Sequence, residues 1–268
     1  MRLILTGLAA AIVLALTLAL VGPHLIDWSA HRPALEARLS EALGVPARLG
    51  APIEMTLLPA PRLSAGGLSL GSGEGGAPTL EAGAAQFELS APSLTRGEWR
   101  FVEARLEKPV LTLTLDKEGR LIAPAGADLA AAVEAARIAE GTLIVKDQRG
   151  GDERLRLEKI DLAFSADGLA GPFKGQGKAG ARGLGFRFAT GAVQAGKMRL
   201  KLALDAGAAA PHAEFDGMAQ LAGAPHYEGQ FAADGAFSLA GGEPTPWRMT
   251  ATLKADANGA GLDPLDLK

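Results

Sequence analysis

The chain has 268 residues, no cysteine and a formal net charge of −3, with acidic and basic residues interspersed along its length. The lack of cysteine excludes disulfides and thiolate metal sites, and the lack of a basic stripe argues against a nucleic-acid partner. The 35 glycines and 16 prolines lie mostly at the ends of short alternating runs, which is typical of a protein with many tight turns.

The N-terminal segment is typical of a membrane anchor. Residues 3–23 carry no charged side chain, and as a helix they are long enough to cross the hydrocarbon core of a bilayer. A cleaved secretory signal is the alternative, but the apolar run is longer than a signal core, and no small-x-small cleavage triplet follows it. We therefore predict a transmembrane anchor over residues 1–26, with Trp28 at the membrane–water interface and the long body exported.

Residues 27–45 are predicted to form a juxtamembrane amphipathic helix. Leu35, Leu39 and Leu43 recur every four residues, and Gly44 suits the end of the helix. We expect this leucine stripe to pack on the body, and a helix lying on the lipid surface is the alternative.

From residue 46 the hydrophobic period changes to two, which predicts β-strands. This N-terminal β segment extends over residues 46–125 and contains alternating runs at 53–57, 62–70, 86–89, 102–106 and 111–115. The last run, the turn at 116–119 and the run at 120–122 predict a hairpin. Strict alternation predicts antiparallel strands with one apolar and one wet face.

An alanine-rich connector at 126–140 follows, in which residues 128–138 could form a short helix. The C-terminal β segment, 141–268, begins with the run 141–147 and a turn at Gly150 and Gly151. It carries a repeat of an aromatic residue followed by small residues at every second position, at 173–179, 215–221 and 227–233. Such repeats predict a sheet extended by similar strands. Small residues on an inner face would leave room for an elongated apolar ligand, and a shallow sheet with a thin core is the alternative.

Motifs that carry catalysis are scarce. The four histidines, His24, His31, His212 and His226, lack the spacing of a metal site. Gly-x-Gly-x-x-Gly occurs at 71–76 and at 175–180, but neither stretch precedes the helix that a dinucleotide site requires. The sequence therefore predicts a protein that is not an enzyme and that has no cofactor and no metal.

Several segments resemble the AsmA-like proteins of the Gram-negative envelope. The resemblance lies in residues 21–29, 42–46, 50–63, 141–151 and 167–173. It implies a single-pass inner-membrane protein with its body in the periplasm. It also implies a long, curled antiparallel β-sheet with an apolar groove, like that of the chorein-type bridge proteins that conduct lipids between membranes. With about 13 strands spaced about 4.8 Å apart, such a groove would be about 60 Å long.

We therefore expect a mainly β protein of envelope maintenance that binds or conducts phospholipid acyl chains between the inner and outer membranes. The alternative is a scaffold or assembly factor for outer-membrane proteins, which would hold envelope proteins through its sheet edges. The residues predicted to line the groove are apolar positions of the alternating runs: Leu111, Leu113, Leu115, Leu143, Val145, Phe186, Phe188, Leu200, Leu202 and Leu204. Thr112, Thr114, Lys201 and Ala203 are expected on the opposite face. The oligomeric state is left open.

Overall fold

The computed structural model describes residues 14, 17, 20–119, 122, 134–149, 152–166, 172–207, 211–220, 226–237, 244–256 and 259–267. Within these ranges the chain is mainly β and forms one mixed sheet of fifteen strands, with a helix at its N-terminal end. The predicted anchor over 1–26 falls largely outside the described residues. No helix in the described ranges is long and apolar enough to span a membrane.

The predicted amphipathic helix is confirmed. Two 3-10 turns, Gly22–Leu25 and Trp28–His31, lead into helix α1 (Arg32–Leu43). Asp27 caps the second turn, because its carboxylate accepts a hydrogen bond from the Ser29 N–H at 3.0 Å. Gly44 ends α1 in the left-handed conformation, at a φ of 67° that glycine adopts without strain.

The strands follow in chain order, with a short helix α2 (Ala91–Leu94) and a 3-10 turn (Glu74–Gly76) between them. They are β1 (Ala47–Thr56), β2 (Arg62–Leu70), β3 (Thr79–Ala82), β4 (Ala84–Leu89), β5 (Phe101–Glu107), β6 (Val110–Leu115), β7 (Ala135–Asp147), β8 (Glu153–Ala166), β9 (Phe173–Ala179), β10 (Leu184–Thr190), β11 (Lys197–Asp205), β12 (His212–Gln220), β13 (His226–Phe237), β14 (Thr245–Asp256) and β15 (Ala260–Leu267).

These fifteen strands occupy thirteen rows of the sheet. Strands β3 and β4 share one row, since both pair with β2 in a single register that continues across Gly83. Strands β5 and β6 share the next row, and both pair with β7 in one register that continues across Lys108 and Pro109. The rows therefore follow the order of the chain from β1 to β15, as expected for a sheet extended strand by strand.

The prediction of a wholly antiparallel sheet is wrong at β7, which runs parallel to both β5 and β6. The chain does turn after β6, where the Gly119 N–H donates to the Asp116 carbonyl and the Ile122 N–H donates to the Thr114 carbonyl. Nevertheless, the next described strand begins level with the start of β5 rather than with the end of β6. Because β7 starts at that end, it must run in the same direction as the row beside it.

The short helix considered for residues 128–138 is wrong for Ala135–Ile138, which belong to β7, while residues 128–133 lie outside the described ranges. Ala136 is buried and pairs with Ala104 on one side and Phe164 on the other. Packing between two strands has therefore overridden the helix propensity of this alanine-rich segment.

A line of irregular residues crosses every row from β1 to β8. It comprises the register shift between Gly50 and Ile53, the adjacent Gly66 and Gly67, Gly83, and three residues with positive φ, namely Lys108 (50°), Glu140 (53°) and Lys159 (54°). In the rows from β2 to β8 the alternation of apolar residues shifts by one position at this line, whereas in β1 the extra residue of the register shift keeps it in phase. The apolar side chains consequently stay on one face along the whole strand, and the rows bend where they cross the line.

The most deeply buried core lies between α1 and the first rows of the sheet. Leu39, Leu63 and Phe101 are each 0% exposed. The ring of Trp28 packs against this core, and its Nε1–H donates to the Pro23 carbonyl at 2.8 Å. Trp28 thus fastens the N-terminal turns to the body, and its location at a membrane interface stays a prediction.

Helix α1 also closes the outer edge of β1. The Leu49 N–H donates to the Glu36 carboxylate at 2.8 Å, the Leu49 carbonyl accepts from the Arg32 guanidinium, and the Ala47 N–H donates to the Ser40 hydroxyl at 2.9 Å. Side chains therefore take the place that a further strand would occupy at these residues.

Candidate functional site

One face of the sheet is apolar from the first row to the last. A continuous line of paired residues crosses all thirteen rows without a polar side chain: Met55, Leu63, Phe87, Ala104, Ala136, Phe164, Gly175, Phe188, Leu202, Phe215, Phe231, Ala251 and Leu265. The neighbouring line, from Ile53 to Leu267, is apolar at every position as well. We call the surface formed by these two lines and the residues beside them the apolar face.

The burial of the apolar face changes along the sheet. Over the first rows it is closed, with Leu63, Phe87 and Ala104 buried in the core beneath α1. From β8 onward most of its large side chains are only half-buried, as Leu202 is. A half-buried apolar surface of this extent is typical of a binding surface.

All ten residues predicted to line a groove are half-buried and point to the apolar face. Leu111 pairs with Leu143, Leu113 with Val145, Phe186 with Leu204 and Phe188 with Leu202, while Leu200 and Leu115 continue two of these runs. On the opposite face of β11, Lys201 is exposed as predicted, but Ala203 is half-buried like Leu202 and Leu204. In β6 it does not separate them, because Thr112 and Thr114 are half-buried as well. Whether the ten residues contact lipid stays a prediction.

A pocket of about 470 Å³ opens on the apolar face, and we call it the apolar pocket. It is lined by Leu115, Leu200, Leu202, Phe215, Ala219, Gln220, His226, Tyr227, Leu253, Ala255 and Asp256. Three of the ten predicted residues are among them. Phe215 and Tyr227 were missed as lining residues, although the aromatic repeat marks both, and Leu253 was missed although it ends an alternating run.

The apolar pocket also shows that the sheet curls. Leu115 in β6 and Leu253 in β14 line the same pocket, although eight strand-to-strand steps separate them in the sheet. In a flat sheet these steps would place them about 38 Å apart. The sheet must therefore curl with the apolar face on its inside, because twist alone rotates the strands without shortening the distance between rows.

The small residues of the repeat do not leave the space that the sequence predicted. Phe188 lies across Gly175, where an added Cβ would come within 2.5 Å of the ring, and Phe186 lies across Gly177, where the distance would be 2.9 Å. Each glycine is the direct cross-strand partner of the ring that covers it. Aromatic side chains therefore fill the floor of the apolar face, and the glycines are needed to accommodate them.

The opposite, polar face is organised by ion pairs across the strands. The Glu103 carboxylate contacts Arg105 at 2.9 Å and Arg137 at 2.7 Å, and the hydrogen bond from Arg105 is the main reason that the pKa of Glu103 is lowered. Further along, Arg199 and Lys201 contact Asp216 at 2.8 and 3.0 Å, and their hydrogen bonds lower its pKa to about 2.

A cavity of about 760 Å³ lies on this polar face. Its walls mix cations with carboxylates, among them Lys178, Arg187, Asp161 and Asp205, so neither sign of charge dominates. No group of three or more histidines and carboxylates within the described ranges could hold a metal ion.

Comparison with known protein families gives a match. The model of the AsmA family matches residues 1–136, which cover the N-terminal segment, α1 and the rows up to the start of β7. No curated protein and no solved structure matches the chain.

Proposed function

Because the chain belongs to the AsmA family, we propose that it is an envelope protein that holds the acyl chains of phospholipids on its apolar face. The observation that carries this proposal is the pair of apolar lines that cross all thirteen rows while only the first rows are covered by α1. In this proposal residues 1–26 anchor the chain in the inner membrane, the body lies in the periplasm, and the role is not enzymatic.

Burial of hydrocarbon supplies the affinity. Each methylene group that leaves water contributes about 0.8 kcal/mol. The apolar pocket, at about 470 Å³, lies within the usual range of sites for small ligands. Acyl chains would lie on the half-buried surface from β8 to β15, and the lipid headgroups would remain at its wet margin.

The curl of the sheet supports a continuous path rather than a single site. Thirteen rows spaced about 4.8 Å apart give a surface of about 60 Å measured across the strands. Since the apolar lines have no polar interruption, a chain could move along them without meeting an uncompensated polar side chain. Conduction of phospholipid towards the outer membrane is the finer form of this proposal.

The scaffold alternative requires a sheet edge that can pair with a partner strand. At β1 the backbone groups of Ala47 and Leu49 already bond to α1. At the other edge of the described sheet β15 pairs with β14 alone and is exposed throughout, so the scaffold alternative keeps one candidate edge. The proposal gives priority to the apolar face because it extends over all thirteen rows.

The test is the lipid that co-purifies with the full chain, measured by mass spectrometry in two neighbouring variants. Leu202→Asp places a charge on the apolar face, whereas Ala203→Asp places it on the polar face of the same strand. We expect at least a tenfold loss of bound phospholipid for Leu202→Asp and little change for Ala203→Asp. Equal lipid content in both variants, or no lipid in the parent protein, would contradict the proposal.

A further inference from the structure

A buried hydroxyl in the apolar pocket has no partner. Tyr227 in β13 lies on the apolar face, and its Oη is shielded from solvent without a hydrogen-bond partner within the described part of the chain. Buried hydroxyl groups are almost always hydrogen-bonded in folded proteins, so an exception calls for a physical explanation. Burial, followed by the nearby Asp216 carboxylate, raises the pKa of Tyr227, so the group remains a hydroxyl that can donate.

The surroundings of the hydroxyl explain its position. Gly217 in β12 and Gly229 in β13 are direct cross-strand partners, and neither carries a side chain. Tyr227 Oη lies in the gap that they leave, 2.8 Å from the place where a Cβ of Gly229 would be. Leu200 and Leu253 flank this pair of glycines on the neighbouring strands. The hydroxyl is therefore an isolated polar atom on the hydrocarbon-lined floor of the apolar pocket.

The polar residues of the apolar pocket lie together at one end of it. Gln220, His226 and Asp256 are cross-strand partners in β12, β13 and β14, and they form the end of the pocket where their side chains alternate to the polar face, on which His226 contacts Glu228. A ligand that fits this arrangement has a polar group at that end and hydrocarbon along the walls. It also has a hydrogen-bond acceptor that reaches the single hydroxyl on the floor.

We propose that, when an acyl chain enters the apolar pocket, the half-buried Tyr227 side chain turns its hydroxyl from the glycine pair towards the chain and donates a hydrogen bond to the ester carbonyl oxygen, so that this site selects ester-linked lipids. An ester carbonyl accepts a hydrogen bond but brings no donor of its own, which matches a floor that offers one donor among apolar side chains. An ether-linked chain has the same length and apolar surface but lacks the carbonyl. The inference rests on the proposed function, because it names the lipid linkage that the apolar face recognises.

The test is a competition between two phosphatidylcholines that differ only in having ester or ether linkages. The full chain is purified with an equimolar mixture of the two lipids, and mass spectrometry gives the ratio of ester to ether lipid that stays bound. We expect the parent protein to enrich the ester lipid about three- to tenfold, as for one neutral hydrogen bond. Tyr227→Phe keeps the ring and should return the ratio to about one while total bound lipid changes less than about twofold.

A matched control is Phe215→Leu, which alters the same pocket without touching the hydroxyl and should keep the enrichment. Because Tyr227→Phe removes an unpaired buried hydroxyl, its melting temperature without lipid should be no lower than that of the parent. Bound lipid with no ester preference in the parent, or an unchanged preference in Tyr227→Phe, would overturn the inference and leave the proposed function standing. No bound lipid of either kind would overturn both.

Discussion

Leu63 in β2 and Leu202 in β11 belong to the same line of paired residues on the apolar face, but only Leu63 is fully buried. Helix α1 covers the line at Leu63, whereas Leu202 is half-buried and lines the apolar pocket. The same residue type on the same face therefore belongs to a closed core at one end of the sheet and to an accessible surface further along.

This difference predicts unequal effects of the same substitution on folding. Leu63→Asp buries a carboxylate in the core and should cost several kcal/mol, enough to unfold a marginal protein. At Leu202 the new charge stays in contact with water, so the loss should be about 1 kcal/mol of hydrophobic burial. Chemical denaturation measures both values, and equal destabilisation would show that the apolar face is also closed at Leu202.

The line of irregular residues that crosses rows β1 to β8 predicts an unusual order of residue preference at Lys159, which is exposed and has a φ of 54°. Valine should be less stable than glycine there by about 1 kcal/mol or more, because a β-branched side chain is strained in the left-handed region. Lys178 is an exposed residue of β9 that does not have a positive φ. There valine should be more stable than glycine, because a β-branched residue suits a strand and glycine weakens it. The free energy of unfolding of the four variants measures both orders. The same order of stability for valine and glycine at both positions would contradict this account of the line of irregular residues.

The ion pairs of Asp216 predict a dependence of stability on pH. Its pKa falls from 3.8 to about 2 in the folded protein, so the folded state favours the ionised carboxylate. The resulting stabilisation is fully present above about pH 4 and is lost as the pH falls towards 2. Asp216→Asn should remove this part of the pH profile, while Asp234→Asn, which changes an exposed carboxylate outside the network, should retain it. Thermal melts between pH 2 and 6 provide the comparison, and an unaltered profile in Asp216→Asn would be the contrary result.

The closure of the β1 edge predicts an effect at Glu36. Glu36→Ala leaves the half-shielded Leu49 N–H without its acceptor and should cost about 1–3 kcal/mol. Glu41→Ala removes an exposed ion pair with Arg38 on the same helix and should change stability by less than about 0.5 kcal/mol. Denaturant titration measures the free energy of unfolding of both variants. A loss of less than about 0.5 kcal/mol in both would mean that the Glu36 contact contributes little.

Much of the fold follows from local pattern. The leucine stripe of α1 and the alternating runs of the strands predict which residues face the apolar side, because burial on one face fixes the periodicity of each element. The estimate of about 13 strands is below the fifteen strands of the described ranges, although these occupy thirteen rows.

Two features could not be predicted in this way: the parallel pairing of β7, and the one-position shift of the alternation at the line of irregular residues. Both depend on which distant segments become neighbours, and Lys108, Glu140 and Lys159 give no local signal for positive φ. The residues that line the apolar pocket were missed for a similar reason, since Leu115 reaches Leu253 only because the sheet curls over eight steps. The role of the glycines was misjudged because the covering rings lie on other strands.

The most direct test of lipid on the apolar face is site-specific photo-crosslinking in cells. A photoreactive amino acid is placed singly at Leu202 or Leu253 on the apolar face, and at Lys201 or Lys254 on the polar face of the same strands. Mass spectrometry then identifies the adducts on the purified full chain. Our account predicts phospholipid adducts at Leu202 and Leu253 and few or none at Lys201 and Lys254. Adducts of equal yield on both faces, or none at Leu202 and Leu253, would contradict it.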